Sequence, residues 1–199
     1  MEKRSNKFRK WAAITLTLLA FIAFITVVGS PYGNHKGFEY KLIRHSVEID
    51  APVEQVYRFL GNSDNVSRWS VYVDHISTLN PDSFTDGTPG SRRRCFCNAD
   101  ESGTRWDELI TEVVPYKKRQ LTIYNMQGFS LTAENLATEQ IYEKLDSARC
   151  RITFTVFYKD KKPSFFESVK TYIAAYKIKD IFEENMKNIK RITESEYHG

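Results

Sequence analysis

The sequence predicts an α+β fold in which a run of strands joined by turns is followed by one long C-terminal helix. Several short segments alternate hydrophobic with polar residues, and a helix-capping pattern opens a long amphipathic segment near the end of the chain. Of the 199 residues, 41% are hydrophobic and 27% are charged. That composition is typical of a globular protein with a buried core and excludes a wholly disordered or collagen-like chain.

The first element is an uncharged apolar segment, residues 11–29. As a helix it is about 28 Å long, close to the roughly 30 Å of a bilayer's hydrocarbon core. Five of the 29 Lys and Arg residues precede it, within the first ten positions. We therefore expect residues 1–30 to form a basic stub and a single-pass membrane anchor, with the N-terminus cytoplasmic and the rest periplasmic or outside the cell. A cleaved signal peptide, which would release a secreted protein, is the alternative.

Turn-forming residues over 31–40 predict a short tether to a domain that spans residues 41–199. Within it, Lys41–Asp50 alternates in polarity and is predicted as a strand. Pro52 favours the first turn of a helix that ends near Gly61, and a second short helix is expected over Ser63–Trp69. An extended segment over Ser70–Leu79 is expected next.

Five further strands are predicted, separated by turn residues. One of them, Arg105–Val114, places Glu108 and Glu112 on one face and Leu109, Thr111 and Val113 on the other. The remaining four are centred on residues 92–98, 120–126, 134–144 and 150–158. Ser164 followed by Glu167 is a capping-box pattern that predicts a helix from about Phe165 to Glu194.

This order of elements, together with three segments, resembles the START/birch-pollen-allergen-like (SRPBCC) superfamily, in particular its polyketide cyclase/dehydrase and lipid-transport group. The segments are residues 47–60, which run from a strand through Ala51-Pro52 into a helix, residues 69–73, and residues 106–115. The resemblance implies a helix-grip fold: a curved antiparallel sheet of about six or seven strands wrapped around the C-terminal helix, with a cavity between them.

The leading functional hypothesis is a membrane-tethered domain that binds a hydrophobic or lipid-like small molecule in this cavity. Several positions expected to point inward are small or polar, among them Cys95, Cys97, Thr111 and Thr138, which favours a partly open space. The residues expected to contact the ligand are Trp69, Leu109, Thr111, Ile123, Phe154, Val156, Tyr172 and Tyr176.

Two alternatives remain open. One is an enzyme of the cyclase or dehydratase type acting on an apolar substrate, for which His45, Asp107 and Tyr142 are the candidate catalytic residues and Arg105 and Glu139 are possible neighbours. None of them lies in a recognised catalytic spacing. The other is a grip domain whose interior is filled and which serves as a protein-interaction module.

The charge distribution and the absence of known motifs in the sequence argue against several classes of function. Beyond the N-terminal cluster the positive and negative residues balance, so a nucleic-acid-binding surface is not expected. We expect no metal or cofactor, because the sequence has no recognised metal-ligand spacing, Gly-rich phosphate loop or nucleophile elbow. Cys95, Cys97 and Cys150 are expected to be small buried residues, although Cys150 could pair with either of the others. No protein partner is indicated.

Overall fold

The computed structural model describes residues 2–131, 133–159 and 163–199. It confirms the predicted α+β class, with a seven-stranded antiparallel sheet packed against a long C-terminal helix. The elements in chain order are α1 (Glu2–Val28), β1 (Leu42–Ile49), α2 (Val53–Gly61), a 3₁₀ turn (Ser63–Asn65), α3 (Val66–Trp69), β2 (His75–Thr78), β3 (Arg92–Phe96), β4 (Arg105–Val114), β5 (Lys118–Gln127), β6 (Leu136–Lys144), β7 (Cys150–Tyr158) and α4 (Phe165–His198).

The sheet has the order β1-β7-β6-β5-β4-β3-β2, so the first and last strands of the domain pair at one end. Strand β7 is buried along almost its whole length because it lies between β1 and β6 and has α4 on its inner face. Its inner residues Ile152 and Phe154 pack with Val56 of α2 and Ile189 of α4 in the main hydrophobic cluster. This cluster fixes α2 and the second half of α4 against the sheet.

Helix α4 begins where the capping pattern predicts. The backbone N–H of Glu167 donates to Ser164 Oγ (3.2 Å), and the N–H of Ser164 donates to Glu167 Oε2 (3.1 Å). The first half of α4 turns Thr171 and Ala175 toward the sheet. Four large hydrophobic side chains of this half, Phe165, Val169, Ile173 and Tyr176, are therefore exposed.

Strand β4 differs from the sequence prediction in which of its faces is buried. Glu108 and Ile110 are buried, whereas Leu109 is half-buried and Thr111 is exposed. The reason is that Glu108 lies opposite Arg93 on β3, and this pairing allows a carboxylate to occupy the inner face. The alternation of polarity suggested the opposite because it treats every carboxylate as solvent-facing.

Several of residues 31–40, predicted as a tether, contact the domain. Tyr32 is only 4% exposed and lies between the rings of Tyr158 and Tyr172, at centroid distances of 6.3 and 5.3 Å. Gly33 pairs with Leu42, which extends the edge of the sheet by one bridge. The chain therefore enters the domain at Tyr32, ten residues before the first strand.

Candidate functional site

A partly enclosed cavity of about 160 Å³ lies between the inner face of the sheet, α3 and the middle of α4. An apolar cavity of roughly 150 Å³ is large enough to hold a benzene-sized molecule. Drug-sized ligands occupy larger pockets, of about 300–1,000 Å³. The cavity as it stands thus fits a small guest.

Most of the cavity lining is apolar. Aromatic rings form one side, where Trp69 and Phe182 each meet Phe154 edge to face at centroid distances of 6.3 and 5.8 Å. Aliphatic side chains from α2, α3, the loop after α3, the sheet and α4 complete it: Leu60, Val66, Val73, Ile76, Leu121, Ile123, Val156 and Ile181. Such a surface favours apolar guests, because their transfer out of water costs no hydrogen bonds.

A buried ion pair forms the polar part of the wall. Arg93 Nε donates to Glu108 Oε2 at 2.7 Å, and each residue is 7% exposed. Trp106 Nε1 donates to the other carboxylate oxygen at 2.9 Å, and Arg93 Nη1 reaches Ser63 Oγ at 3.3 Å. Burial lowers the pKa of Arg93, but the Glu108 carboxylate outweighs it and raises that pKa, so the guanidinium stays charged.

A second polar group, Gln140, borders the cavity from β6. Its Oε1 accepts hydrogen bonds from Tyr142 Oη (2.8 Å) and Arg119 Nη1 (3.1 Å). Arg119 also donates to the carbonyl of Leu60 at the end of α2 (3.3 Å). These bonds use the acceptor of Gln140 and tie α2 to the sheet.

The eight predicted ligand contacts divide evenly. Trp69, Ile123, Phe154 and Val156 line the cavity, and their contact with a guest stays a prediction. Leu109 and Thr111 lie on the outer face of β4 for the reason given above. Tyr172 and Tyr176 lie beside the end of α1, outside the cavity, because the first half of α4 points Thr171 and Ala175 toward the sheet.

The three predicted catalytic candidates do not come together in the cavity. His45 shares the inner face of the edge strand β1 with Ile43 and lies near Glu183 of α4, and burial lowers its pKa. Asp107 lies on the outer face, where Arg94 binds it through two hydrogen bonds of 2.6 and 3.0 Å. Burial alone raises the pKa of Asp107, but the Arg94 and Asn125 hydrogen bonds outweigh it and lower that pKa.

Tyr142 faces inward but is packed into the main hydrophobic cluster below the cavity, beside Tyr57. Burial raises its pKa, so its hydroxyl stays protonated. Of the two neighbours considered with it, Arg105 is a surface residue that donates to Gln127 Oε1 (3.1 Å), and Glu139 lies on the outer face of β6 near Tyr40. The candidate catalytic set is therefore dispersed over both faces of the sheet.

Sequence analysis missed four of the residues that shape the cavity: Arg93, Trp106, Glu108 and Phe182. Arg93 sits in an Arg-rich run that is typical of a solvated strand edge. One signal could have found Arg93. Two strands that follow each other in the chain carry opposite charges near their centres, Arg93 on β3 and Glu108 on β4, and such residues can pair across the sheet.

The cysteines are all free thiols. Cys95 lines the cavity, and burial raises its pKa well above the usual value. Burial likewise raises the pKa of Cys97 and of Cys150 to about 11. Thiols in this state are poor nucleophiles. Within the described ranges, no group of three or more His, Cys, Asp or Glu side chains is placed to hold a metal ion.

A larger depression of about 430 Å³ lies on the surface between α2 and the end of α4. It is open to solvent, and its Arg68 is bound to Glu196 (2.6 Å) and stacked over Phe59 (5.2 Å). Its third charged residue, Arg58, donates through Nε to the carbonyl of Glu54 (3.1 Å). All three charged side chains are thus already engaged, so we favour the inner cavity as the candidate site.

In the described part of the chain, one helix is long and apolar enough to cross a membrane, over Arg9–Val28, and it is exposed along its apolar stretch. A signal sequence has the same properties. The C-terminal end of this helix is attached to α4: Tyr176 Oη donates to the carbonyl of Thr26 (3.1 Å), and Ser30 Oγ donates to that of Tyr172 (2.9 Å).

Comparison with known families and structures identifies the family and the fold of the chain. Residues 42–194 match the family model described as polyketide cyclase / dehydrase and lipid transport. No curated protein matches the chain.

Several solved structures share the fold. The protein XoxI from Bacillus cereus superposes with a TM-score of 0.55 at 17% identity, covering 76% of this chain and 94% of that one. A protein from Nitrosospira multiformis gives 0.59 at 13% identity, covering 79% and 99%. The di-domain ARO/CYC BexL gives 0.53 at 13% identity, covering 75% of this chain and 45% of BexL. At these identities the likeness concerns the fold alone.

Proposed function

The chain belongs to the polyketide cyclase/dehydrase and lipid transport family, and on that premise we propose that it binds a small hydrophobic molecule in the cavity between the sheet and α4. The observation that carries this proposal is the cavity itself, about 160 Å³ in volume and lined mainly by aromatic and aliphatic side chains. Ordinary protein interiors contain few voids larger than a water molecule. An apolar void of this size is a binding site for apolar guests.

Binding without catalysis suits the lining better than an enzymatic reaction. The charged side chains among the described lining residues are Arg93 and Glu108, and each neutralises the other. General acid or base catalysis needs a titratable group that can exchange a proton with the substrate. The ion pair, the protonated Cys95 thiol and Tyr72, whose pKa burial raises, do not offer one in their present arrangement. A cyclase or dehydratase remains the second candidate by family alone.

Guest size follows from the volume. A single aromatic ring fits the cavity, whereas a long acyl chain exceeds about 160 Å³ unless lining side chains move. Phe182 stands where such a movement would enlarge the space, because it comes from α4 and the sheet forms the opposite wall. We propose that larger lipid-like guests enter by displacing this ring.

We further propose that α1 is retained as a membrane anchor. Its last turn is hydrogen-bonded to α4, and Tyr32, two residues beyond Ser30, is part of the core. Phe165 and Phe166, 76% and 75% exposed, begin the same helix that α1 contacts. Exposed aromatic side chains are common on surfaces that lie against lipid headgroups.

Intact-mass measurement of the protein from membrane and soluble fractions tests the anchor. We expect the membrane fraction to contain the full 199-residue chain. A soluble form that begins near residue 30 would instead establish signal cleavage.

Methyl NMR of the full chain in lipid nanodiscs tests the binding function, with toluene as the probe. Toluene is expected to shift the methyl signal of Ile123 saturably, and Thr138→Leu, which fills the cavity from β6, is expected to abolish the shift. Thr111→Leu is the matched control because Thr111 is exposed on the outer face of β4. The proposal fails if toluene leaves Ile123 unchanged, or if Thr138→Leu binds toluene as the original protein does.

A further inference from the structure

The indole N–H of Trp69 is a buried donor without an acceptor. Its Nε1 atom is shielded from solvent and has no hydrogen-bond partner among the described residues, although the ring lines the cavity. The other indole of the cavity, Trp106, donates to Glu108. A buried donor left unpaired is costly, so natural sites usually supply a partner from the protein, water or a ligand.

The position of this donor is fixed by its surroundings. Asn188 of α4 donates to the carbonyl oxygen of Trp69 (3.2 Å), and the N–H of Ser70 closes the turn of α3 on Val66 (2.8 Å). The ring packs edge to face on Phe154. The two hydrogen bonds fix the backbone at Trp69 and the contact with Phe154 packs its ring, which makes the indole N–H a preorganised binding group.

Three of the polar side chains that line the cavity are already engaged. Asn185 Oδ1 accepts from the backbone N–H of Val71 (2.8 Å), and Ser70 Oγ accepts from the N–H of Val73 (2.9 Å). Gln140 Oε1 accepts from two donors, as described above. Trp69 Nε1 therefore has no acceptor within hydrogen-bond distance among the described residues, and a guest can bring one.

The charge of the lining restricts what kind of acceptor that is. Arg93 and Glu108 sum to zero, and each satisfies the other within the wall. A carboxylate or phosphate on the guest would place a third charge in the cavity without a countercharge, which is strongly unfavourable in a buried site.

From these observations we infer that the guest is an uncharged molecule with one hydrogen-bond acceptor, such as a ketone or ester oxygen, and that this oxygen binds Trp69 Nε1. The inference rests on the proposed binding function. It adds the chemical class of the guest and names Trp69 as the residue that selects it.

Three probes of similar size separate the classes: ethylbenzene, acetophenone and benzoate. Their affinities for the full chain in nanodiscs are measured from the Ile123 methyl shift. Trp69→Phe removes the N–H and keeps an aromatic ring. We expect this change to weaken acetophenone binding about five- to tenfold and ethylbenzene binding less than twofold. Benzoate is expected not to bind at concentrations that saturate acetophenone.

Trp106→Phe is the matched control, since its N–H already has an acceptor. It is expected to change the affinities for acetophenone and ethylbenzene by the same factor. Thermal unfolding shows whether each variant is folded. The inference is wrong if Trp69→Phe lowers both affinities equally or lowers neither, because the donor then does not select the guest. A water molecule bound to the N–H would give this result.

Tight benzoate binding would likewise overturn the inference, because it would show that the cavity accepts a charge. Whenever the inference fails in one of these ways but ethylbenzene still binds the original protein, the proposed binding function stands. If none of the uncharged probes binds the original protein, the proposed function and the inference fail together.

Discussion

The Arg93–Glu108 pair offers the sharpest test of how the interior is held together. Replacing Glu108 with Leu leaves the Arg93 guanidinium charged and buried, and it removes the acceptor of Trp106. Breaking a buried ion pair on one side typically costs about 3–5 kcal/mol. For a folded part of 150–250 residues, each kcal/mol lowers Tm by about 2–4 °C, so we expect a fall of roughly 10 °C.

The double replacement Arg93→Met with Glu108→Leu separates the value of the pair from the penalty of an orphaned charge. Apolar side chains of similar volume often replace a buried pair at little cost. We therefore expect the double variant to recover most of the lost stability. The assay is urea unfolding of the full chain in micelles, followed by tryptophan fluorescence.

Glu112→Gln on the same strand is the control. Its partner is Lys118 (2.7 Å), and the Glu112 side chain is 46% exposed, so the change should cost less than about 1 kcal/mol. The reasoning is refuted if Glu108→Leu costs less than about 1 kcal/mol. It is also refuted if the double variant is as unstable as Glu108→Leu alone.

Three further predictions concern other parts of the chain. Tyr32→Ala should lower the free energy of unfolding by about 3–5 kcal/mol in a urea titration, since the ring is buried; a negligible change would mean that residues 31–40 are a loose tether. Ser164→Ala should cost about 1 kcal/mol and speed amide exchange in the first turn of α4, whereas unchanged exchange would contradict the capping role. His45 has a lowered pKa in the folded state because burial disfavours its charged form, so the unfolded chain binds its proton more tightly. The stabilising contribution of neutral His45 is present above the unfolded pKa of about 6.5 and is lost as the pH falls below that value. His45→Gln should therefore flatten the curve of stability against pH below about 6.5. An unchanged curve would refute the role given to His45.

The order of elements was predictable from sequence because it depends on local patterns. Alternation identified β1 and β7, and Ser164 with Glu167 gave the start of α4 to the residue. The apolar segment that became α1 was equally clear. In each case neighbouring residues along the chain contain the information, as periodicity or as a cap.

The inner face of β4 could not be predicted in this way. Its buried residues include a carboxylate, and burial of Glu108 depends on Arg93, fifteen positions earlier and on another strand. Local alternation treats a carboxylate as a solvent-facing residue. Leu109 and Thr111 were consequently expected on the wrong face, and Arg93 and Trp106 were missed.

Sequence alone therefore determined the fold class and the apolar N-terminal helix. Only the tertiary structure decided which groups meet inside. These are the neutral ion pair, the Trp69 donor, which finds no acceptor in the described part of the chain, and Tyr32, which is buried ahead of the first strand. The physical reason is that polar groups enter a protein interior according to their partners, and partners distant in the chain become neighbours only when the sheet closes against α4.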